Sequence, residues 1–238
     1  MGGFATHRPI PTEGLEILLD IGNNRAYSGT GTTIDDISGN GWTATMNGAF
    51  YDTTNHGTIN CDGINDSITI PNDVSFNDFS TRVSVSCWFM PRFTTSTFVG
   101  LVSKDNTQAG GGGFGAFQLG SNSTNTNMRW GFKDSTNTTQ HEISITTNAL
   151  LNYNVWSHFV GTWGNGILKL YENGKLVATS SFISDTPYQN TEPIRIAGRN
   201  LNNIYHFAGL MGHVAIYKST LDQNGVTALY EAFKDRFS

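Results

Sequence analysis

An all-β sandwich or barrel, closed by one short C-terminal helix, is the fold class that the sequence predicts, and three features predict it. About twelve short apolar segments recur along the chain, each bounded by Gly, Asn, Asp or Pro. Only 14% of the 238 residues are charged while glycine reaches 27, a composition of strands and turns. Asn173-Gly174 stands between LKLYE and KLVATS. A type I′ turn needs positive φ at both central residues, so this dipeptide between alternating runs signals a hairpin.

The elements follow in order. Met1 to Glu13, with Pro9 and Pro11 blocking regular pairing, is expected as an N-terminal arm, and 14–238 as one domain. Leu15, Ile17, Leu18 and Leu19 before Gly22-Asn23-Asn24 make a buried strand and a turn. The stretch from Gly29 to Gly41 reads as a loop. Strands are then expected at Ser67–Ile70, Val83–Met90, Phe98–Ser103, Ala116–Leu119, Met128–Phe132 and Ile143–Thr147. Further strands follow at Trp156–Trp163, Ile167–Tyr171, Leu176–Thr179, Ile194–Ala197 and Leu210–Tyr217. In the second of these Val83, Val85, Cys87 and Phe89 alternate with Ser84, Ser86 and Trp88, the period of two of a strand with one face on a core. After Leu221 the period changes. Val226, Leu229, Tyr230, Phe233 and Phe237 fall on one helical stripe, with Asp222 or Asn224 available as N-cap, and that stripe is expected to pack on the sandwich. Trp88, Trp130, Trp156 and Trp163 lie inside strand patterns and are expected in the core.

Charge narrows the partners. Fourteen basic against 19 acidic side chains give a formal charge of -5 without a Lys/Arg cluster, so a nucleic-acid partner is not expected. No run approaches the roughly 18 apolar residues of a membrane span, and the N-terminus lacks the apolar core of a secretion signal. Cys61 and Cys87 occupy apolar strand positions and read as two buried free thiols, with a disulfide left open.

No residue pattern calls for catalysis. GGGGFG at Gly110–Gly115 formally fits a dinucleotide loop but precedes no helix, and reads as a hairpin loop. His141-Glu142 opens like a zincin motif, yet Ile145 stands where the second histidine is needed. Glycoside hydrolysis needs two carboxylates about 5 to 9.5 Å apart. The chain has no E-x-D or D-x-E pair on one strand, and Asp62 with Asp66 sits in a turn where carboxylates cap backbone amides. Asp36, Ser38 and Asn40 before Gly41 resemble half of a calcium loop. The twelfth position is Asn47, which offers no bidentate carboxylate, so an Asx-type turn competes with a weak calcium site.

Five segments in order resemble one family, the laminin-G-like jelly rolls of the concanavalin A-like lectin and glucanase superfamily. They are GLEILLDIGNNRAYSGTGTTIDDISGNG, CDGINDSITIP, VSVSCWFMP, WSHFVGTWGNGILKLYENGKLVATS and FAGLMGHVAIYKSTLDQNGVTALY. The resemblance runs from about Gly14 to Tyr230 and implies a two-sheet antiparallel jelly roll. It departs where the family's last strand often carries Asp-Glu, since this chain has Gly212-His213, which puts any structural calcium there in doubt. The opening segment looks like that of domains found in virion proteins of tailed bacteriophages. By that resemblance the chain is a non-enzymatic virion component, a capsid decoration or tail and adhesion protein assembled in the host cytoplasm. It would work through contacts with other virion proteins, as a homo-oligomer, and through host glycan. The alternative is a carbohydrate-binding, lectin-like module of a cell-surface or exported protein. A ligand rim is expected at Asp105, Asn106, Asn200, Asn202, Tyr205 and His206, in polar loops between strands.

Overall fold

A computed structural model describes residues 9–93, 98–105, 115–199 and 205–238. Among them sixteen strands and one α-helix follow in order. The first eight strands are β1 (Leu15–Asp20), β2 (Thr33–Asp35), β3 (Thr43–Asn47), β4 (Phe50–Asp52), β5 (Thr58–Asp62), β6 (Ser67–Ile70), β7 (Val83–Pro91) and β8 (Gly100–Lys104). The rest are β9 (Phe117–Ser121), β10 (Asn127–Lys133), β11 (Gln140–Thr146), β12 (Ser157–Gly164), β13 (Ile167–Glu172), β14 (Lys175–Thr179), β15 (Ile194–Ile196) and β16 (Ala208–Tyr217), before helix α1 (Gln223–Phe233). They form two antiparallel sheets of eight strands. One runs β14-β13-β12-β7-β16-β5-β4 with β1 also on β16, and the other β11-β10-β9-β8-β15-β6-β3-β2. Such pairing between strands far apart in sequence is that of a jelly-roll sandwich.

The sequence expectation of a loop from Gly29 to Gly41 is corrected: Thr33–Asp35 pairs with β3. Strands β2, β3 and β5 were hidden because they are short and carry Thr or Asn, and β4 because it is only three residues long, so little apolar alternation marks them.

The core lies between the sheets. Val83, Val85, Cys87 and Phe89 point inward from β7, against Phe117, Leu119, Trp130 and Phe132 of the second sheet among others. Cys61 and Cys87 are both buried free thiols, and burial pushes each thiol up. Gly161 on β12 explains itself by contact: a Cβ there would stand 2.2 Å from Trp130 Cδ2. The Trp130 ring is fixed from the other side by its Nε1–H, which donates to Thr162 O at 2.9 Å. Gly161→Ala is therefore expected to overpack the core and cost about 1–3 kcal/mol, measured by urea unfolding. An unchanged midpoint would show that Trp130 can move aside.

The opposite residues of β7 are buried as well, because α1 covers the outer face of the first sheet. Asp222 caps it, its Oδ1 accepting from Gly225 N at 2.8 Å. Val226 and Leu229 pack over Val160, Tyr171, Ala215 and Tyr217, while Phe233 and Phe237 pack over Trp88. Each such side chain contributes about 1.5–3 kcal/mol relative to exposure. Ser84 survives under this cover by bonding the chain that leads into the helix, donating to Ser219 O and accepting from Leu221 N. Of the expected arm, residues 1–8 lie outside the described residues; of the rest, Pro11 O accepts from Tyr217 Oη at 3.1 Å and Ile10 packs against both apolar clusters on this face. The expected hairpin forms, with Asn173 and Gly174 at φ 48° and 81°.

Candidate functional site

Three places gather the polar and aromatic residues that could bind or react. The first is the turn of Asp36, Ser38 and Asn40, which the structure brings together. Asp36 Oδ1 accepts from Leu18 N at 2.7 Å and Ser38 N at 2.9 Å, and its Oδ2 accepts from Ser38 Oγ at 2.6 Å. Asn40 Nδ2 donates to Leu15 O and Glu16 O. The three side chains thus spend these bonds in an Asx-type clasp on β1. Among the described residues no three His, Cys, Asp or Glu side chains stand together as a metal cluster. At Gly212-His213, His213 is buried beneath Phe233, ring centroids 4.0 Å apart, and neither ring nitrogen has a hydrogen-bond partner.

The second place is the expected rim. Asn106, Asn200 and Asn202 lie outside the described residues. Asp105, at the end of β8, is fully buried, and its Oδ2 takes Arg199 Nε at 2.7 Å. The Arg199 guanidinium lies 5.2 Å from the centre of the half-buried Tyr205 ring. His206 is also buried, its Nδ1 2.7 Å from Asp66 O. The structure therefore brings Asp105 and Tyr205 together around Arg199, a residue that sequence reasoning missed because its partner is 94 positions away. Next to Asp105, Lys104 is caged: Nζ donates to Asn72 Oδ1, Asn190 O and Glu192 O, and burial pushes its amine down to about 8. These bonds brace the 190–192 segment rather than present a nucleophile.

The third place is a cavity of about 590 Å³ on the outer face of the first sheet, beside α1. Trp88 forms its floor, stacked on Tyr230 and Phe237 at 5.5 and 5.0 Å. Trp156, at the mouth of β12, is half-buried and tilts against Phe237 at 4.5 Å. Its Nε1 donates to Asn55 Oδ1 at 3.0 Å, and Asn55 Nδ2 in turn donates to Arg236 O at 2.6 Å. Asn55, Asn154 and Asn173, all lining the cavity, have φ of 51°, 63° and 48°. Asparagine adopts this left-handed backbone more readily than other side-chain-bearing residues; Asn55 spends its amide on Trp156 and the chain at Arg236, and Asn173 Oδ1 accepts from His158 N at 3.0 Å, so the Asn154 amide and Asn173 Nδ2 face the rim.

Three of the four tryptophans expected in the core are buried, Trp130 and Trp163 between the sheets and Trp88 in the cluster under α1, while Trp156 is half-buried at this cavity. The signal for the outer face was present at Trp88, which is out of phase with Val83, Val85, Cys87 and Phe89. Nothing local marked Asn55, which arrives from a turn 101 residues away.

A family model for the concanavalin A-like lectin/glucanases superfamily (Laminin_G_3) matches residues 62–227, well over half of the chain. The chain belongs to that superfamily. Among curated proteins none matches it in sequence at a significant level. Its fold is similar to the binding domain of Paraclostridial Mosquitocidal Protein 1, at 20% identity and TM-score 0.70 over 93% of this chain and 53% of that one. It is also similar to the botulinum neurotoxin serotype D binding domain, at 16% identity and TM-score 0.68 over 92% and 52%. The binding domain of botulinum neurotoxin DC, described in complex with SialylT, is a third, at 14% identity and TM-score 0.68 over 93% and 52%. The chain spans about half the length of these domains. A lectin-type jelly roll of this superfamily hosts both binding and hydrolysis, so its function rests on the sites. No described helix is long and apolar enough to cross a membrane, which says nothing of β-barrels.

Proposed function

We propose that this superfamily member is a non-enzymatic attachment domain of a bacteriophage virion, a capsid decoration or tail and adhesion protein that contacts other virion proteins, its own copies and host glycan. The observation that carries the non-enzymatic part is how its acids are spent. Asp105 is locked on Arg199, and Asp66 accepts Asp62 N at 2.8 Å inside a turn. Asp20 pairs with Arg236, and Glu16 with Lys218 and Trp42. Hydrolysis would need one carboxyl held protonated opposite a second that is ionised; burial and the neighbouring Asp62 do push Asp66 up, but Asp66 is buried and engaged with Asp62 N in its turn, and the other pairings serve structure. The virion part is supported by the opening segment and by a low-charge, Thr-, Asn- and Gly-rich surface.

One observation favours the alternative, a carbohydrate-binding, lectin-like module of a cell-surface or exported protein. The fold is shared with toxin binding domains, one of them described in complex with SialylT. Quantitative mass spectrometry of particles purified from cells carrying the encoding genome separates the readings. A fixed copy number per particle is expected. Recovery in the cell envelope or medium, with none in particles, would favour the module, and release of reducing ends from host polysaccharide by the purified protein would overturn the non-enzymatic reading.

A further inference from the structure

The geometry points to the cavity between α1 and the outer face of the first sheet as a binding site for a neutral sugar ring, stacked on Trp156 and held by the amides of Asn154 and Asn173. This rests on the recognition reading above and gives it a place.

Its size, about 590 Å³, is within the range of about 300–1,000 Å³ usual for small-ligand sites. Its walls combine the two surfaces that a pyranose needs. The axial C–H face of a sugar is apolar and packs on a flat aromatic ring, while its hydroxyls need planar amide partners around the edge. Here Trp156 and Tyr230 are half-buried, neither sealed in the core nor standing free, and Asn154 is exposed at the rim. The Trp156 ring is fastened before any ligand arrives. Asn55 holds its Nε1–H, the chain at Arg236 holds Asn55, and Phe237 backs the ring. Arg236 is itself anchored, donating from Nε to Asn55 O at 2.7 Å and from Nη2 to Gly57 O at 2.6 Å. A fixed platform lowers the ordering cost of binding.

Charge selects the sugar class. Lys234 at the rim is held by Glu231 at 2.7 Å, and Arg236 is held by Asp20, so the neighbouring cations are already paired. Asp235 lines the cavity and is exposed, and its carboxylate repels uronic and sialic acids. A neutral hexose or hexosamine meets no such penalty.

The test is an array of neutral gluco-, galacto- and manno-oligosaccharides with their sialylated and uronic counterparts. Titration of the best neutral ligand follows, by tryptophan fluorescence and by the indole N–H resonances. The expected result is binding of a neutral glycan, a shifted Trp156 indole resonance, and loss of about tenfold or more in affinity for Trp156→Ala. Asn154→Gly keeps the positive φ while removing the amide, so it leaves the fold intact and still weakens binding severalfold. Asp235→Asn admits acidic glycans. Neutral binding that both variants leave unchanged would overturn this site while leaving the recognition reading intact. Binding of acidic glycans alone would overturn the ligand class. No glycan binding at all would overturn the inference, with the copy number in particles still deciding the function.

Discussion

Asp105→Ala is expected to lower stability by about 3–5 kcal/mol, the cost of stranding one member of a buried ion pair. The Asp105 and Arg199 side chains are between 0 and 2% exposed, so water cannot replace the lost partner. For a chain of this length each kcal/mol corresponds to about 2–4 °C, so a drop on the order of 10 °C in Tm is expected by calorimetry. The pair also fixes geometry. Asp105 follows β8 and Arg199 follows β15, the strand beside it, and the one Ser103 hydroxyl hydrogen is shared between Asp105 Oδ1 and Gly198 O, each 3.2 Å from Oγ. Removing both charges separates stability from charge. In Asp105→Ala/Arg199→Met neither member of this pair is left facing the other's absence, and the double variant should lose much less than the sum of the singles. Additive losses would mean that the two residues act independently, and the account of the rim given above would fail.

How far the sequence revealed this molecule depended on whether the signal was local. The alternation in VSVSCWFM fixed the inward face of β7, Asn173-Gly174 fixed a hairpin, and the stripe from Val226 to Phe237 fixed α1, whose cap, Asp222 or Asn224 by sequence, is Asp222. Each is settled by neighbours in the chain. Strands β2 to β5 escaped because TID and TATMN carry only alternate apolar residues over three to five positions, too few for a period to show. The cavity escaped for another reason. Its aromatic wall joins β7, β12 and α1, and Trp156 is fastened by a turn that precedes β5, so only the folded topology assembles it. Local reading placed Asp105 and His206 in polar loops. The long-range partners Arg199 and Asp66 draw both inside.

Acid should unfold the protein sharply, with a midpoint near pH 4 to 5 by tryptophan fluorescence, roughly the window between the free and buried histidine pKa values. Two histidines set this window. His158 on β12 and His213 on β16 flank Trp88 on β7 in one row, beneath α1 and the C-terminal tail. Burial pushes His158 down to about 3, with His213 adding repulsion, and burial pushes His213 down to about 4. Asp20 on β1 opposes the shift of His213, and Arg236 from the tail reinforces it. Both rings are therefore neutral in the fold, while the unfolded chain takes up protons below about pH 6.5. Their stabilisation is fully present above that value and is lost as pH falls through 4 and then 3. The linkage is on the order of 3 kcal/mol for His213 and 5 kcal/mol for His158, much of the 5–15 kcal/mol that holds an ordinary domain. The variant that isolates the effect is His213→Leu. Neither ring nitrogen of His213 has a partner, so an apolar side chain under Phe233 strands nothing and should leave stability at pH 7 unchanged or slightly higher. Its acid midpoint should fall by about half a pH unit or more. His158→Leu would behave differently, because Ser86 Oγ lies 2.9 Å from His158 Nε2 and would be left unpaired in the interior. That variant should lose about 1–3 kcal/mol at neutral pH while also gaining acid resistance. A protein that stays folded at pH 3, or a His213→Leu variant with an unchanged acid midpoint, would remove the histidine row as the cause.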